Sequence, residues 1–419
     1  MEELAPKTPT SLATRDEPPA AWRDLREWIA LCEQRGQMHR VTAEVDPHEE
    51  LSAITYMRTR DEKAPALFFE RLPKNPHNVR VLSNILGNSA ARYALTLGLD
   101  PEMPISGLVD MTRKFMKVRI PPVMIAPEQA PVNEIILTGD DIDLTKLPVP
   151  RFWPGDGGLY IGTGDITFTQ DPATKRINVG CYRQMLHGKN RVGLYCSPGK
   201  DGRLDREAWW AQGKPCEVVS AFGVDPAMFM ASSISFGKQE SELDAIGALT
   251  GRPVELTRGV TGSLPIPARA EIVIEGVLHP GEMLEEGPLG EFTGYYGSPR
   301  TPQPVIEVKA LHMRRNPILT AALMARYPSC EQGTYYAIAR SARIYDDLDR
   351  VGLPGVKGVY AHPAAASGFG MIVVSIEQKY AGHVAQALAI TAQAPAAAYY
   401  TKWIICVDDD VDQIGRAHV

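Results

Sequence analysis

The chain of 419 residues has few of the features that mark specialised protein classes. Its six cysteines form no CxxC pair and its nine histidines form no HxxxH or HExxH, which excludes the usual disulfide and zinc patterns. No apolar run approaches the roughly 20 residues of a membrane helix, and the first residues lack a secretory signal pattern. The net charge of -6 gives no signature of nucleic-acid binding. We therefore expect a cytoplasmic enzyme.

Changes of composition along the chain predict three folded regions. Residues 1–20 are rich in Pro, Thr and Glu and are expected to be flexible, whereas residues 21–120 mix helix and strand patterns in an α+β region. Residues 121–310 begin with a proline-rich linker and continue as short strands between Gly and Pro turns, which is typical of a barrel or sandwich. Residues 311–413 form a second α+β region. Residues 414–419 match a translated sequencing adapter, so we expect the natural chain to continue past Gln413.

Local signals predict the individual elements. Helices are expected with buried faces at Trp22–Cys32, at Leu51, Ile54 and Met57 after a cap at Asp46, at Ala90–Leu97 ending at Gly98, at Tyr335–Leu348 and at His383–Ala392. Strands are expected at Ala66–Phe69, Val79–Leu82, Glu134–Leu137, Gly162–Thr169, Arg176–Arg183, Val192–Cys196, Glu217–Ala221, Ile272–Leu278, Val305–His312, Ile318–Leu323, Met371–Ile376 and Trp403–Val407.

A glycine-rich segment, Glu286-Gly-Pro-Leu-Gly-Glu-Phe-Thr-Gly-Tyr295, contains the strongest candidate chemistry. Its two acids, Glu286 and Glu291, lie five residues apart, and glycines let the backbone approach a ligand closely. Apolar neighbours (Leu289, Phe292 and Tyr295) should partly desolvate the carboxylates and raise their pKa towards values useful in acid–base catalysis. The alternative is a surface turn with solvated glutamates, which the spacing alone favours.

Two further segments contain candidate binding residues. In the predicted strand Arg176–Arg183, alternation puts Asn178 and Arg183 on opposite faces unless a bulge at Gly180 intervenes. A strand arginine among apolar residues usually has an anionic partner, and the alternative is a structural salt bridge. Met230-Ala-Ser-Ser-Ile234, followed by Glu242, combines small hydroxyls with a carboxylate and suits a cation or phosphate site. The alternative there is an ordinary strand end.

Taken together, these segments resemble the UbiD family of decarboxylases over residues 22–413. The resemblance depends on Asn178-x4-Arg183, on Met230–Ser233 with Glu242 downstream, on the Glu286–Tyr295 segment and on Val407–Asp412. It implies an α+β multi-domain fold in which a central split β-barrel binds prenylated FMN between N- and C-terminal α+β regions. It also implies reversible, non-oxidative decarboxylation of an aromatic or α,β-unsaturated carboxylic acid.

The resemblance assigns roles to particular residues. Arg183, Glu286 and Glu291 become the catalytic set: Arg183 binds the substrate carboxylate, Glu286 holds Arg183, and Glu291 protonates the carbon that loses CO2. Carbonyls of Ala231, Ser232 and Ile234 would bind a monovalent cation such as K⁺, and a divalent Mn or Mg ion would bind Asn178, Asp201 and Glu242 on the cofactor phosphate. The cofactor-binding set is Asn178, Val179, Gly180, Cys181, Tyr182, Arg183, Lys200, Asp201, Glu242 and Lys402. A flavin prenyltransferase is the implied cofactor supplier, and the protein is expected to be a homo-oligomer.

One position departs from the family pattern. Relatives carry a metal-ligating His in the loop that here reads Ser197-Pro-Gly-Lys-Asp201. Aligning the Pro-Gly-basic turn puts Asp201 at that place, with Lys200 as the other register. Aspartate can ligate a hard cation, whereas lysine only donates hydrogen bonds; the alternative is that Asp201 merely decorates a turn. The family's C-terminal helical tail is also absent, as expected for a truncated chain.

Two other functions remain open at this point. A flavin-binding subunit or scaffold without catalysis would gain if the altered metal loop prevented cofactor capture. A hydrolase built on Glu286 and Glu291 would leave Arg183 and Asn178 unexplained. The substrate pocket is expected to involve Met185, Leu186, Met324 and Tyr327, but a fold-level resemblance cannot select the acid.

Overall fold

The computed structural model describes residues 15–234, 236–237 and 240–411. The predicted tail 414–419 and residues 1–14 of the predicted flexible segment lie outside the described residues. The end of that segment is bonded to the folded protein: Arg15 Nη2 donates to Leu97 O at 2.7 Å and Ala20 N–H donates to Thr250 O at 2.8 Å. Among the described residues, no helix combines the length and hydrophobicity needed to cross a bilayer.

The N-terminal region packs helices against a small sheet. Its buried helix faces include Leu25, Trp28, Ile29 and Cys32, as their spacing predicts, and Gly98 ends α3 with φ 72°. The sheet has the order β1-β2-β3-β16, with β1 parallel to β2 and β3 parallel to β16. The elements are α1 Leu25–Gln34, β1 Met38–Glu44, α2 Glu50–Thr59, β2 Ala66–Arg71, β3 Arg80–Ser83, α3 Ala90–Leu97, α4 Ile105–Met116 and, much later in the chain, β16 Ile318–Ala321.

Helix α2 begins later than its sequence signal predicts. Asp46 accepts a hydrogen bond from His48 N–H at 2.8 Å, and it is Glu50 that reaches back to the Asp46 N–H at 2.7 Å. Met57, expected in the buried stripe, is 73% exposed. A three-residue spacing drifts by about 60° per step around a helix, so Met57 leaves the face that Leu51 buries.

The central region is built on one curled antiparallel sheet in the order β6-β9-β10-β15-β14-β11-β7-β8, with β5 paired to β15. Strands β14 and β15 form a long hairpin in which Glu286 pairs with Thr301, so the glycine-rich segment lies at its tip. The elements are β4 Val123–Met124, β5 Ile135–Thr138, β6 Tyr160–Gly162, β7 Asp165–Gln170, β8 Ile177–Gly180, β9 Gln184–Leu186, β10 Arg191–Leu194, α5 Asp201–Trp210, β11 Cys216–Phe222, α6 Pro226–Ser232, α7 Glu242–Thr250, β12 Glu255–Arg258, β13 Pro265–Pro267, β14 Ile272–Glu286 and β15 Thr301–Met313.

The strand predicted at Arg176–Arg183 is broken after Gly180. A Cβ at Gly180 would lie 2.5 Å from Tyr182 Cζ, so the Tyr182 ring folds back over the strand end. Cys181 N–H then leaves the ladder and donates to Ser232 O at 3.1 Å. Ser232 itself ends helix α6, so this segment is a helix terminus and not the strand end considered as the alternative.

The C-terminal region is a layered α+β unit with the sheet order β17-β18-β19. The strands predicted at Val305–His312 and Ile318–Leu323 join the central and N-terminal sheets instead of this one. Helix α8 buries Tyr335 and Ile338 in the main core and Leu348 in the C-terminal core, and so connects the regions. The elements are α8 Thr334–Arg350, β17 Val356–Ala361, β18 Met371–Ile376, α9 His383–Gln393, α10 Pro395–Ala398 and β19 Trp403–Asp408.

Candidate active site

Arg183 and the two predicted glutamates meet in one ion-pair cluster. Arg183 Nε donates to Glu286 Oε1 at 3.0 Å, Nη2 donates to Glu286 Oε2 at 2.8 Å, and Nη1 donates to Glu291 Oε1 at 2.9 Å. The Glu286 side chain is completely buried, whereas that of Glu291 is 30% exposed. Burial lowers the pKa of Arg183, but its bonds to Glu286 and the negative charges nearby outweigh burial and raise that pKa.

Backbone and aromatic contacts hold Glu286 at the end of β14. Tyr160 Oη donates to Glu286 Oε1 at 2.9 Å. A Cβ at Gly157 would lie 1.8 Å from Gly287 O, so only glycine fits this close approach of two chain segments. Gly287 itself has φ 87°, a conformation that favours glycine. The carboxylate is therefore fixed by rigid neighbours on both sides of the Arg183 pair.

Glu291 lies on a loop that remains nearer the solvent. Asp156 Oδ1 accepts from Gly290 N–H at 3.0 Å and anchors the start of this loop. Burial raises the pKa of Glu291; the Arg183 charge opposes that rise and the Glu286 charge adds to it. Tyr295, expected to desolvate the glutamates, is 65% exposed, and it follows Gly294, whose φ is 89°.

Two tyrosines, which sequence reasoning missed, support the ion-pair cluster. Tyr160 bonds Glu286, and the Arg183 Cζ lies 4.1 Å from the ring centroid of Tyr195 in a cation–π contact. Tyr195 N–H also donates to Arg183 O at 3.1 Å. Neither tyrosine is in a distinctive motif, although Arg183 and Tyr195 lie in two consecutive predicted strands, and pairing of those strands would have brought the two residues together.

Asp201 and Glu242 meet at a second site through Arg176, and Asn178 lies two residues after Arg176, within β8. Arg176 Nη1 donates to Asp201 Oδ2 at 3.0 Å and Nη2 donates to Glu242 Oε1 at 2.9 Å. Asn178 Nδ2 donates to Thr169 Oγ1 at 3.1 Å, so its carbonyl oxygen is the atom that can ligate a cation. No group of three or more His, Cys, Asp or Glu in the described part of the chain is arranged to hold a metal ion.

At this second site the Glu242 carboxylate is buried with only part of its bonding capacity satisfied. Glu242 is almost completely buried, and burial raises its pKa to about 7 although the Arg176 charge opposes this. Its Oε2 has no hydrogen-bond partner among the described residues. A buried acceptor without a partner is costly, so this oxygen marks a place where a ligand would be favourable.

The two predicted lysines differ in position. Lys200 Nζ lies 4.8 Å from the ring centroid of Tyr399, and burial lowers the pKa of Lys200 although the Asp201 charge opposes this. Lys402 is exposed just before β19, where its N–H donates to Gly370 O at 3.0 Å. Lys200 is therefore the lysine next to a predicted metal ligand: it precedes Asp201 in sequence and is affected by the Asp201 charge.

The remaining predicted residues have already used part of their bonding capacity. Ser232 O accepts from Cys181 N–H and Ala231 O accepts from Ile234 N–H, each at 3.1 Å, so these carbonyls have one lone pair left for a cation. Val179, Gly180 and Tyr182 are buried.

Two of the predicted substrate residues lie beside the glycine-rich loop. The Met185 side chain packs against Gly158: a Cβ at position 158 would lie only 2.8 Å from Met185 Sδ. Trp153 Nε1 donates to Met324 O at 3.2 Å, and a Cβ at Gly290 would lie 2.2 Å from Trp153 Cδ1. Leu186 follows Met185 in β9 and is half-buried on the opposite face.

Sequence models of three domains of one family match this chain. The 3-octaprenyl-4-hydroxybenzoate carboxy-lyase Rift-related domain matches residues 124–327, the N-terminal domain matches 29–112 and the C-terminal domain matches 334–413. The chain belongs to the UbiD family. It is accordingly a carboxy-lyase of the UbiD type with the three-part fold described above.

Solved UbiD-class structures agree over nearly the full length. An evolved dimeric form of HmfF from Pelotomaculum thermopropionicum, in complex with prFMN, is 31% identical, with 94% of this chain and 87% of that chain covered and a TM-score of 0.84. Vanillic acid decarboxylase of Sedimentibacter hydroxybenzoicus in closed form is 29% identical, with 94% and 82% covered and a TM-score of 0.86. Apo 3,4-dihydroxybenzoic acid decarboxylase of Klebsiella pneumoniae is 30% identical, with 94% and 83% covered and a TM-score of 0.82.

Proposed function

We propose that this UbiD-family protein carries out reversible, non-oxidative decarboxylation of an aromatic or α,β-unsaturated carboxylic acid with prenylated FMN. The observation that carries the proposal is the Arg183 guanidinium, fixed on one edge by buried Glu286 and bonded on the other to the more exposed Glu291. An arginine held in this way is suited to fork onto a carboxylate. The glutamate on its open side is suited to proton transfer.

The described residues fit a flavin phosphate bound through a divalent ion. Glu242 has a buried oxygen without a partner among the described residues, and Asn178 and Asp201 add two oxygen donors, a set that suits Mg or Mn. Backbone at 178–182, together with Lys200, would hold the flavin. When bound, prenylated FMN supplies the acceptor for the electron pair that remains when the bond to CO2 breaks.

The residues of this chain then have separate tasks. Arg183 binds the substrate carboxylate in two-point fashion and orients it. Glu286 keeps Arg183 in place and balances its charge. Glu291, with a pKa raised by burial, is the proton donor to the carbon that loses CO2. In the reverse direction the same group accepts that proton, so the direction of the reaction depends on the supply of CO2.

The proposal is tested with protein co-expressed with a flavin prenyltransferase, the expected cofactor supplier. Mass spectrometry of the released cofactor and CO2 release from a panel of phenolic, heteroaromatic and cinnamic acids are measured together. We expect prenylated FMN and turnover of at least one class of acid. Bound prenylated FMN without CO2 release from any acid would favour the scaffold alternative instead, and turnover without flavin would contradict the proposal.

We further propose a homo-oligomer and a monovalent cation, such as K⁺, at the carbonyls of Ala231, Ser232 and Ile234. The carbonyls of Ala231 and Ser232 each keep an acceptor position beyond their backbone bonds. Light scattering tests the oligomer, and replacing K⁺ by choline during flavin reconstitution tests the cation.

A further inference from the structure

Arg176 occupies the space between the two carboxylates of the proposed metal site. It immediately precedes β8, whereas Asp201 and Glu242 are the first residues of α5 and α7, so three elements meet at its guanidinium. The Arg176 side chain is 21% exposed and that of Glu242 is 5% exposed. The guanidinium is therefore a largely buried counter-ion of two negative charges.

A divalent ion and this guanidinium compete for the same charges. An ion on Glu242 needs one of its two oxygens, of which Oε1 is bonded to Arg176 and Oε2 has no partner among the described residues. If the ion used only Oε2, its two positive charges would still lie within a few ångströms of the guanidinium, in a poorly solvated site. Arg176 must therefore oppose metal binding until another anion is present.

We propose that Arg176 couples metal binding to flavin binding. In the flavin-free protein Arg176 holds Asp201 and Glu242 together and keeps the divalent ion out. When the flavin phosphate binds, its negative charge becomes a partner for the guanidinium and releases the carboxylates to the ion. The affinity for metal then rises with flavin, and by linkage the affinity for flavin rises with metal to the same extent.

This inference rests on the proposed metal ligands Asn178, Asp201 and Glu242, so its test does not use decarboxylation. Mn²⁺ binding to purified flavin-free protein is measured by the EPR signal of free Mn²⁺, without and with saturating FMN as the phosphate-bearing probe. Arg176→Met keeps the length of the side chain and removes the charge, and Arg176→Lys keeps the charge. Arg191→Gln is the matched control, because Arg191 also bridges two glutamates, Glu282 and Glu307, but elsewhere.

We expect FMN to tighten Mn²⁺ binding to the wild type at least about tenfold, a typical coupling between linked sites. Arg176→Met should bind Mn²⁺ at least about tenfold more tightly than wild type without FMN, and should lose most of the coupling, since the repulsion is gone. Arg176→Lys and Arg191→Gln should behave like wild type. A greater Mn²⁺-induced rise of the melting temperature in Arg176→Met than in wild type should accompany the tighter binding.

Two results would overturn the inference in distinguishable ways. In the first, Arg176→Met binds Mn²⁺ no more tightly than wild type, and adding Glu242→Gln abolishes Mn²⁺ binding in the wild-type and Arg176→Met backgrounds alike. The metal site then stands and the role of Arg176 is wrong. If no variant binds Mn²⁺ with or without FMN, the metal assignment fails together with the inference.

Discussion

Arg183 and Glu286 form a two-point ion pair, with Nε and Nη2 of the arginine donating to the two carboxylate oxygens at 3.0 and 2.8 Å. Glu286 is fully buried, so this edge of the guanidinium is fixed before any substrate arrives. The remaining N–H groups are those nearer Glu291. Substrate therefore meets an arginine with one edge committed to buried Glu286, and it must share the other edge with the more exposed Glu291, to which Nη1 is bonded.

The first prediction follows from this planar fork. Arg183→Lys keeps the charge but cannot reproduce two-point bonding to Glu286 and to a carboxylate at once. We expect kcat/KM to fall by at least about 10²-fold, since misplacement of bound substrate by an ångström has effects of that size. Steady-state kinetics with an acid turned over by the wild type check this. Normal turnover with normal substrate affinity would show that Arg183 is only structural.

The second prediction concerns the proton donor. Glu291→Gln should keep flavin and substrate binding but lower kcat at least about 10²-fold, the low end for general acid catalysis. Glu285→Gln is the matched control, because Glu285 is an exposed glutamate beside the same loop and should retain wild-type kcat. Stopped-flow kinetics measures kcat, and flavin absorbance measures the bound flavin. Activity of Glu291→Gln within a few-fold of wild type would rule out the assigned role.

The third prediction concerns Tyr160 as a positioning residue. Tyr160→Phe removes the hydrogen bond to Glu286 Oε1, and a bond to a charged group contributes about 1.5–3 kcal/mol. We expect kcat to fall roughly tenfold with little change in KM, because Arg183 still binds the substrate carboxylate but is held less rigidly by Glu286. Tyr195→Phe keeps the ring face against Arg183 and is the control, with kcat near wild type. Equal kcat values in the two variants would contradict the positioning role.

Residue type and spacing made Arg183, Glu286 and Glu291 candidates, and the resemblance to the UbiD family assigned them to one site. Arg183 lies more than 100 positions from Glu286 and Glu291 in sequence, yet each of the three residues lies in a recognisable local pattern, and the structure places Arg183 within 3.0 Å of both glutamates. The buried face of α1 and the end of α3 at Gly98 were likewise predictable, because both depend on local periodicity and backbone freedom.

Tertiary contacts account for what the sequence did not reveal. The break after Gly180 depends on the Tyr182 ring folding back and on Ser232 O, which lies on a distant helix. The place of Arg176 depends on two helix starts, at Asp201 and Glu242, that meet only in three dimensions. Period-2 alternation does put Arg176 on the same face as Asn178, and this signal could have suggested it.

The fourth prediction tests Asp201 as the replacement for the family's histidine. Asp201→Ala leaves Arg176 paired with Glu242 alone, so we expect loss of both Mn²⁺ and flavin from the purified protein. Asp201→His should restore much of both, since it returns the histidine that relatives carry in this loop. Metal analysis and flavin absorbance on the same samples make the comparison. If Asp201→Ala retains full metal and full flavin, the ligand assignment is wrong.

The fifth prediction concerns stability and begins with Asp165 in β7. Asp165 is completely buried and accepts hydrogen bonds from Gln184 Nε2 at 2.8 Å and from Thr167 Oγ1 at 3.3 Å. Burial raises the pKa of Asp165 from 3.8 to about 7. Between these two values the folded protein holds a proton that the unfolded chain has lost. The free energy of unfolding therefore falls as pH rises through this window, by up to about 4 kcal/mol.

Asp165→Asn removes this titration, because an amide stays neutral. Gln184 Oε1 has no partner among the described residues, so a rotated Gln184 amide can accept from the new Asn NH2 group. We expect the variant to exceed wild type in free energy of unfolding at pH 8 by about 1–3 kcal/mol, and to agree with it within about 1 kcal/mol at pH 5. Urea unfolding of flavin-free protein at the two pH values measures the difference. Asp141 is exposed, so the control Asp141→Asn should match the wild-type free energy of unfolding at both pH values. If that free energy changes with pH as much in Asp165→Asn as in wild type, Asp165 is ionised throughout.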